Sequence, residues 1–474
     1  MTLLREVAVP ALPISSFEPL IGAERQAHLE TAAERTCRLL DGGRLWNVNS
    51  TASGGGVVEL LASLVSHARG AGIDARWLVI EGDARFFEIT KRIHNRLHGA
   101  PGDDGPLGDP ERAHYRAVLD GNAKALLDMA RPGDLVILHD PQTAGLAPWL
   151  TEAGFATVWR CHVGTDNSNG WTDEAWGFLR PMVDAAHMVV FSRQAYIPKW
   201  LPPDKVAVIA PSIDPFSLKN MELPPASLPV LLGQIGLLPM PSGGAPTYTG
   251  ADGTPGRLTH RARIIGDELA APVDGHLVVQ VSRWDRLKDM HGVLTGFAEE
   301  VAGLDGAELA LVGPAVDGVT DDPEGAEVLS DCIAAWEALP AGKRRRIRLV
   351  VLPMDDLDEN AVMVNAIQRS AAVVVQKSLA EGFGLTVAEG MWKGRAIVAS
   401  RVGGIADQVT ADTGILLDDP TDLGRFGTTL ATLLGDPVRV AELGTNARRR
   451  VVEQYLGDRH LLDYAALIEK LLAR

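Results

Sequence analysis

Two basic side chains follow an apolar run of the sequence closely enough to act on one ligand. The run 277–282 ends in the motif SRWDRLKD, which contains Arg283 and Lys288. Two fixed cations in one loop suit a diphosphate, because they neutralise the charge that develops on a leaving group. The alternative, which the spacing alone leaves open, is a pair of solvated surface charges.

Two acidic residues flank the glycine-rich start of a predicted helix. In SLAEGFGLTVAEGMWKG, Glu381 precedes the glycines, and Glu389 lies on a helix predicted over 385–392. Glycine at a helix start lets backbone N–H groups approach an anion, which the helix dipole also favours. Carboxylates accept hydrogen bonds from hydroxyl groups, so the two glutamates suit a sugar and a ribose. Alternatively, Glu381 complements the helix dipole and Glu389 is a charge on the helix face.

Glycines also follow the first predicted strand of the chain. Gly54, Gly55 and Gly56 stand directly before a predicted helix, where a hinge would be badly placed. Close approach of a ligand to the backbone is therefore predicted at these three positions. The motif RVGGIAD holds a second turn, at Gly403 and Gly404, which lets the backbone pass close to a ligand or a neighbouring strand.

The elements that position these motifs are short apolar runs alternating with longer helical patterns, as βα units require. Several runs are apolar on both faces, which indicates parallel sheets covered by helices. In such sheets ligands bind beyond the carboxyl ends of the strands, where the motifs lie. The pattern predicts two doubly wound α/β domains with strands at 45–49, 75–80, 134–139, 157–162, 188–192 and 206–210, and at 277–282, 308–312, 346–352, 371–376, 396–400 and 414–417.

A change in composition separates the two predicted domains. The stretch 220–275 is rich in proline and glycine and has no clear period, so a linker with an insertion is expected there. We therefore predict a first domain over 1–220, a linker or insertion over 221–275 and a second domain over 276–455.

Composition also restricts the partners and the compartment. The 474 residues are 46% hydrophobic and 22% charged, enough for two domains with their own cores. The net charge of −16 disfavours nucleic acid and anionic membranes as partners. Three widely spaced cysteines form no CxxC pair, which argues against disulfides and a zinc site. No targeting pattern and no membrane-length apolar stretch is seen, so we expect a soluble cytoplasmic protein.

The motif EGFGLTVAE, with Arg283 and Lys288 upstream, resembles the nucleotide-sugar site of retaining GT-B glycosyltransferases of family 4. Residues 40–470 are similar to the trehalose glycosyltransferring synthases, through the motifs NSTASGGGVVELL, FFEITKRIHN, HDPQTAGL, WRCHVGTD, DPFSLKN and DENAVMVNAIQRSA. The resemblance implies a GT-B fold, in which two Rossmann-like doubly wound domains face each other across a cleft. It also implies that a C-terminal helix within 456–474 crosses back to the first domain.

The resemblance implies reversible transfer of glucose from a nucleoside-diphosphate glucose to glucose, with retention, giving α,α-trehalose. In this reaction Arg283 and Lys288 would hold the diphosphate and assist its departure. Glu389 would bind the ribose, and Glu381 would bind hydroxyls of the donor sugar. His162 would lie against the donor sugar, although a histidine at a strand end is otherwise more often packed or solvent-facing. Further donor contacts are implied for Gly54, Gly55, Gly56, Gly382, Phe383, Gly384, Leu385 and Thr386.

Acceptor contacts are expected at another strand end. His139, Asp140 and Gln142 are candidates for hydrogen bonds to the acceptor glucose, and a capping role for Asp140 is the alternative. No convincing nucleophile accompanies them, so the departing phosphate oxygen is expected to take the proton of the acceptor. No cofactor is expected and a metal ion should be dispensable, because the DLD run at 356–358 is better explained as a cap or a surface run.

Two other functions stay open at this point. A related transferase could use a sugar-phosphate acceptor, an alternative kept open by Lys91, Arg92 and His94. A non-catalytic nucleotide-sugar sensor or assembly partner is the second alternative, against which the intact basic and acidic site residues argue. The resemblance is compatible with a homodimer.

Overall fold

The chain forms two compact units. The computed structural model describes residues 4–53, 55–250, 253–267, 276–316 and 323–472, so the predicted ligand contact at Gly54 lies outside the described residues. Unit 1 comprises Met1–Ser212 and Tyr455–Arg474, and unit 2 comprises Ile213–Gln454. Each unit is built on one seven-stranded sheet.

Unit 1 alternates strands with helices along most of its length. Its strands are β1 (Leu4–Glu6), β2 (Leu45–Asn49), β3 (Ala75–Ile80), β4 (Leu135–His139), β5 (Ala156–Cys161), β6 (Met188–Phe191) and β7 (Val206–Val208). Its helices are α1 (Glu18–Ile21), α2 (Ala23–Leu40), α3 (Gly56–Gly70), α4 (Ala84–Leu97), α5 (Asp109–Met129), α6 (Asp140–Thr143), α7 (Ala147–Glu152), α8 (Gly170–Val183) and, after unit 2, α18 (Gly457–Leu472).

Unit 2 repeats this alternation after a short helical and hairpin segment. Its strands are β8 (Thr247–Thr249), β9 (Pro255–Arg257), β10 (Arg263–Ile265), β11 (Leu277–Val281), β12 (Glu308–Pro314), β13 (Ile347–Leu352), β14 (Val373–Gln376), β15 (Ala396–Ser400) and β16 (Gly414–Leu417). Its helices are α9 (Leu228–Ile235), α10 (Met290–Glu300), α11 (Pro323–Glu337), α12 (Ala341–Arg344), α13 (Leu357–Ser370), α14 (Leu385–Trp392), α15 (Ile405–Gln408), α16 (Leu423–Leu434) and α17 (Pro437–Gln454).

The two sheets share one topology. Unit 1 has the order β1-β3-β2-β4-β5-β6-β7 and unit 2 the order β10-β13-β12-β11-β14-β15-β16. The first strand of each order pairs antiparallel and the remaining neighbours pair parallel. The strand order reverses between β2 and β4 in unit 1 and between β11 and β14 in unit 2. The predicted pair of Rossmann-like doubly wound folds is confirmed, and each reversal is a topological switch point, where ligands bind in this fold.

The sheet of unit 1 is covered by apolar side chains on both faces. Successive residues of a strand point to opposite faces, and β4 illustrates the result. Val136 and Leu138 belong to one buried cluster, whereas Leu135 and Ile137 belong to another. The second cluster is completed by Leu467 and its neighbours on α18. This packing explains why the strand reads as an unbroken apolar run.

The boundaries of the units differ from those predicted from composition. Residues 213–275 form part of unit 2, although we expected 213–220 in the first domain and a separate linker over 221–275. Hydrogen bonds from the Asn365 side chain to Leu218 O and Met221 O hold the start of this stretch on α13. The elements of this stretch are short and contain prolines and glycines themselves, such as Pro229 and Gly233 in α9 and Pro255 and Gly256 in β9, which explains why the stretch lacks a periodic pattern.

One buried carboxylate anchors the middle of this stretch to α13. Glu359 accepts hydrogen bonds from Thr259 N, Thr259 Oγ1 and His260 N at 2.7–2.9 Å. Burial alone would raise the pKa of Glu359, but these donors outweigh it and lower the pKa to about 2. The adjacent Asp356 caps the same helix through the N–H groups of residues 358 and 359, which confirms the capping interpretation of the DLD run.

Glu359→Ala is expected to destabilise unit 2 by about 3 kcal/mol, because hydrogen bonds to a charged group are lost together. The contribution of this carboxylate is present above its ordinary pKa of 4.5 and is lost as the pH falls towards 2. Thermal unfolding and limited proteolysis over 246–265 measure the effect at pH 7. Asp358→Ala, which removes an exposed carboxylate from the same turn, is the control, and equal effects of the two changes would contradict the anchor.

No helix in the described part of the chain is long and apolar enough to span a membrane.

Candidate active site

Lys288 and Glu381 meet at the switch point of unit 2. The loops that follow β11 and β14 are neighbours because these two strands pair. Lys288 Nζ lies 2.7 and 2.8 Å from the two carboxylate oxygens of Glu381, and Ser378 Oγ donates to the same carboxylate at 3.2 Å. The side chains of the pair are 18% and 12% exposed, so a ligand can reach them. The structure thus joins in one ion pair two residues that the sequence analysis assigned to different parts of the donor.

Two buried polar residues, which sequence reasoning missed, tie these loops together. Gln280, inside β11, donates to Lys288 O at 2.8 Å and accepts from Lys377 N at 3.3 Å. The buried ammonium of Lys377 pairs with Asp289, which caps α10, and donates to Pro420 O. The sequence did contain a signal for Gln280, because it is a glutamine within an otherwise apolar strand, and a buried amide needs hydrogen-bond partners.

Arg283 lies further out than Lys288. Its side chain is 65% exposed and its guanidinium contacts Asp285 Oδ2 at 3.0 Å. Asp285 in turn accepts from Leu287 N at 2.8 Å and so caps the 3-10 turn Arg286–Lys288. The loop conformation that holds Lys288 therefore depends on Asp285.

The start of α14 is shaped by close backbone packing. Gly384 adopts a φ of 83°, which favours glycine, and the helix begins at Leu385. Gly404 N donates to Gly382 O at 2.8 Å, and a Cβ on Gly403 would collide with the carbonyl oxygen of Glu381. The RVGGIAD turn thus approaches the 381–383 loop. The first-turn N–H groups of Leu385 and Thr386 have no acceptor within the helix, as in any helix start.

Gly403→Ala is expected to raise the KM for a nucleotide sugar about tenfold, because a backbone clash and a φ of 51° displace the loop of Glu381. Gly394→Ala is the matched control, since Gly394 has a φ of 69° but an added Cβ would meet only Gly444 O, at an ordinary contact distance of 3.8 Å. Steady-state kinetics and thermal unfolding distinguish the two effects. Equal changes in KM for both variants would show that strain, and not the loop position, is responsible.

Glu389 lies on α14 and faces the segment that begins unit 2. Its side chain is only 3% exposed, and its Oε1 lies 3.2 Å from Lys219 Nζ. Lys393 donates to Asn220 Oδ1 at 3.0 Å, and burial lowers the pKa of Lys393 to about 7. Through Lys219 and Asn220, the motif DPFSLKN contacts the segment that contains the motif EGFGLTVAE. The predicted domain boundary at 220 placed the two motifs in different domains, so this contact was not predicted.

The glycine loop of unit 1 follows β2 at the other switch point. Gly55 has a φ of 83° and Gly56 is the first residue of α3. Chain neighbours aside, no atom of the described residues lies within 4 Å of the position that a Cβ on Gly55 would take, so backbone conformation, rather than space, requires this glycine.

His139 and His162 stack against each other at the ends of β4 and β5. Their ring centroids are 5.4 Å apart, and His139 Nδ1 lies 3.1 Å from His162 Nε2. His162 Nδ1 is 3.4 Å from Arg160 Nε, and His139 Nε2 is 3.2 Å from Asn47 Oδ1. Both ring nitrogens of His162 therefore have partners inside unit 1.

Asp140 is a strained and partly exposed carboxylate beside this pair. It adopts a φ of 63°, and its Oδ1 accepts from His162 N at 2.8 Å. It begins α6 without capping it, so the alternative interpretation as a helix cap is wrong. Burial raises the pKa of Asp140 to about 7. Strain and a raised pKa at a switch point are typical of a binding or catalytic carboxylate, and Gln142 lies two residues further along α6.

The basic residues of α4 differ in burial, from a buried Arg92 to an exposed Lys91. Arg92 is buried, and it donates to Asp103 Oδ2 at 2.7 Å and to Pro106 O at 2.5 Å. Lys91 is exposed, and His94 packs edge-on against His98. Arg92 therefore stabilises the loop that follows α4, and Lys91 is the more accessible cation of this motif.

Comparison with known proteins assigns the family. The family described as "Trehalose synthase, N-terminal domain" matches residues 47–198, and "Glycosyl transferases group 1" matches residues 277–436. Trehalose synthase of Rubrobacter xylanophilus is 32% identical over 461 residues, which cover 97% of each chain. The chain belongs to the trehalose synthase family. Trehalose synthase of Pyrococcus horikoshii is 30% identical over 97% of this chain and 96% of its own length.

The fold agrees with this family assignment. The solved trehalose-phosphate synthase of Burkholderia vietnamiensis superposes with a TM-score of 0.65 at 16% identity, over 91% of this chain and 99% of that one. Its likeness shows the GT-B fold, which confirms the predicted fold class. A trehalose synthase family member with this fold is a trehalose-related glycosyltransferase.

Proposed function

We propose that the protein transfers glucose reversibly from a nucleoside-diphosphate glucose to glucose, with retention of configuration, and forms α,α-trehalose. The observation that carries the proposal is the Lys288–Glu381 pair at the switch point of unit 2, next to the start of α14. Membership of the trehalose synthase family supports the choice of product.

Unit 2 binds the donor in this proposal. Lys288, assisted by Arg283, meets the negative charge that develops on the diphosphate, and the first-turn N–H groups of α14 add to this stabilisation. A hydroxyl of the donor sugar donates to Glu381, which Lys288 and Ser378 already orient. Glu389 accepts from the ribose, and its buried carboxylate is paired with Lys219 Nζ at 3.2 Å.

Unit 1 binds the acceptor in this proposal. Asp140 accepts a hydrogen bond from a hydroxyl of glucose through the carboxylate oxygen that does not face His162 N. His139 and His162 lie beside it, with their ring nitrogens engaged by protein groups. In this proposal His139 packs against the acceptor in place of the expected hydrogen bond, and His162 borders the acceptor in place of the donor sugar. The fixed ring positions orient the acceptor without competing for its hydroxyls.

The chemical step needs no protein nucleophile. The bond between C1 of glucose and the phosphate oxygen breaks while the acceptor oxygen bonds to C1 on the same face. The departing phosphate oxygen receives the proton of the acceptor, so atoms and charge balance within the two substrates. The protein contributes orientation and electrostatic stabilisation.

Incubation of the purified full chain with ADP-, UDP- or GDP-glucose and free glucose, in the presence of EDTA, tests the proposal. NMR of the product should show a single anomeric signal, because α,α-trehalose is symmetric. Release of nucleoside diphosphate only with glucose 6-phosphate would establish the alternative acceptor. Binding of the nucleotide sugar without release of nucleoside diphosphate would establish a non-catalytic role.

A further inference from the structure

Arg160 is a buried cation at the end of β5. Its side chain is fully buried, and within the described part of the chain no carboxylate lies within ion-pairing distance. Its guanidinium instead donates to Tyr464 Oη at 2.9 Å, to Ile209 O at 3.0 Å and to His162 Nδ1 at 3.4 Å. A buried charge that rests on neutral acceptors is costly, which indicates that this arrangement serves a purpose beyond stability.

Arg160 determines the tautomer of His162, which in turn determines the tautomer of His139. An arginine can only donate, so His162 Nδ1 must accept and its proton must be on Nε2. His162 Nε2–H then donates to His139 Nδ1, which places the proton of His139 on Nε2, facing Asn47 Oδ1. Burial and the charge of Arg160 lower the pKa of His139 to about 3 and that of His162 well below its ordinary value. Both rings are therefore neutral, and every contact has one donor and one acceptor.

Tyr464, which accepts a hydrogen bond from Arg160, lies on α18. This helix follows unit 2 in the chain but belongs to unit 1. Tyr464 is buried, and its ring lies 5.5 Å from the guanidinium carbon of Arg160. The ring of Tyr464 also stacks on His460, with centroids 5.2 Å apart, and His460 Nδ1 lies 2.8 Å from Ser212 Oγ. A continuous series of contacts thus runs from α18 through Arg160 to the histidine pair.

We propose that Tyr464 is a positioning residue for the active site: through Arg160 it fixes the ring orientation and the tautomer of His162, and through His162 those of His139. The proposal rests on the proposed function, because it assigns the histidine pair to the acceptor site. Tyr464 contacts no substrate in this scheme. Its hydroxyl is the acceptor that keeps the guanidinium in the plane that His162 Nδ1 requires.

Tyr464→Phe tests the proposal, because phenylalanine keeps the stacked ring and removes only the hydroxyl. Nitrogen NMR of the full chain labelled with ¹⁵N-histidine should show the Nε2–H tautomer at His162 and His139 in the wild type at neutral pH. In the variant, the His162 signals should show a mixture of tautomers. The kcat should fall roughly tenfold at unchanged KM for the nucleotide sugar, since the hydroxyl accepts a hydrogen bond from a charged group.

Leu467→Ala is the matched control on the same helix. Leu467 is buried in the apolar cluster under the sheet, and its side chain has no group that can hydrogen-bond Arg160, so its truncation should lower the melting temperature and leave the tautomers and kcat unchanged. An Nδ1–H tautomer of His162 in the wild type would overturn the proposal, as would unchanged tautomers and kcat in Tyr464→Phe. The NMR readout needs no substrate, so it stands even if the chain makes no trehalose.

Discussion

Lys288→Met is expected to lower kcat for glucosyl transfer by about 100- to 1,000-fold, because it removes a cation placed to meet the charge of the leaving diphosphate. The ammonium is held 2.7 Å from Glu381 Oε1, at the carboxyl end of a strand beside the switch point. Methionine retains the length of the apolar stem, so the change isolates the charge. Rates of nucleoside diphosphate release at saturating glucose measure the effect.

A matched control lies two residues earlier in the same turn. Arg286→Met removes the same formal charge, but its exposed guanidinium pairs with Glu327 at 3.0 Å, so kcat should change by less than about twofold. Thermal unfolding establishes that both variants fold. If Lys288→Met were as active as Arg286→Met, Lys288 would have no part in the departure of the leaving group.

Asp140→Asn is expected to lower kcat/KM for glucose about 10- to 150-fold, because a hydrogen bond to a charged group contributes about 1.5–3 kcal/mol. Asparagine tolerates the φ of 63° and retains an oxygen for His162 N, so the backbone should be preserved. The KM for the nucleotide sugar should not change. Steady-state kinetics with glucose as the varied substrate measure the loss.

The pH dependence of activity provides a second test at Asp140. The pKa of Asp140 is raised to about 7, so the carboxylate that accepts the glucose hydroxyl forms only as the pH rises through 7. The wild type should therefore gain kcat/KM for glucose over this range, and Asp140→Asn should not. Because the raised pKa means that ionisation costs folding free energy, Asp140→Asn should also be the more stable protein above pH 7.

Asp120→Asn is the control for both measurements at Asp140. Asp120 pairs with Lys124 on the exposed face of α5, and its replacement should leave the activity profile unchanged. A step near pH 7 that persists in Asp140→Asn would assign the titration to another group.

The long apolar elements could be predicted from the sequence because their side chains carry a local pattern. The strands 45–49, 75–80, 396–400 and 414–417 and the helix 385–392 have the predicted bounds. The edge strands β1 and β10 were not predicted. Each has three residues, which are largely exposed or half-buried, so neither an apolar run nor an alternation marks it.

The site residues were predictable in type, since each follows a strand, but their partners were not. Gln280 and Lys377 are 97 residues apart, and Arg160 and Tyr464 are 304 residues apart. Contacts at such separations leave no trace in local periodicity. The ion pair of Lys288 with Glu381 is of the same kind, because it follows from the pairing of β11 with β14 and not from either motif.

The late position of α18 has a consequence for biosynthesis. Unit 1 needs α18 to cover the face of its sheet that carries Leu135 and Ile137, yet the ribosome makes this helix only after all of unit 2. At ordinary elongation rates, the first 212 residues wait on the order of tens of seconds for it. Unit 2, which is continuous in the chain, can fold first. The nascent chain therefore exposes, during translation, the part of this apolar sheet face that α2 and α3 leave uncovered.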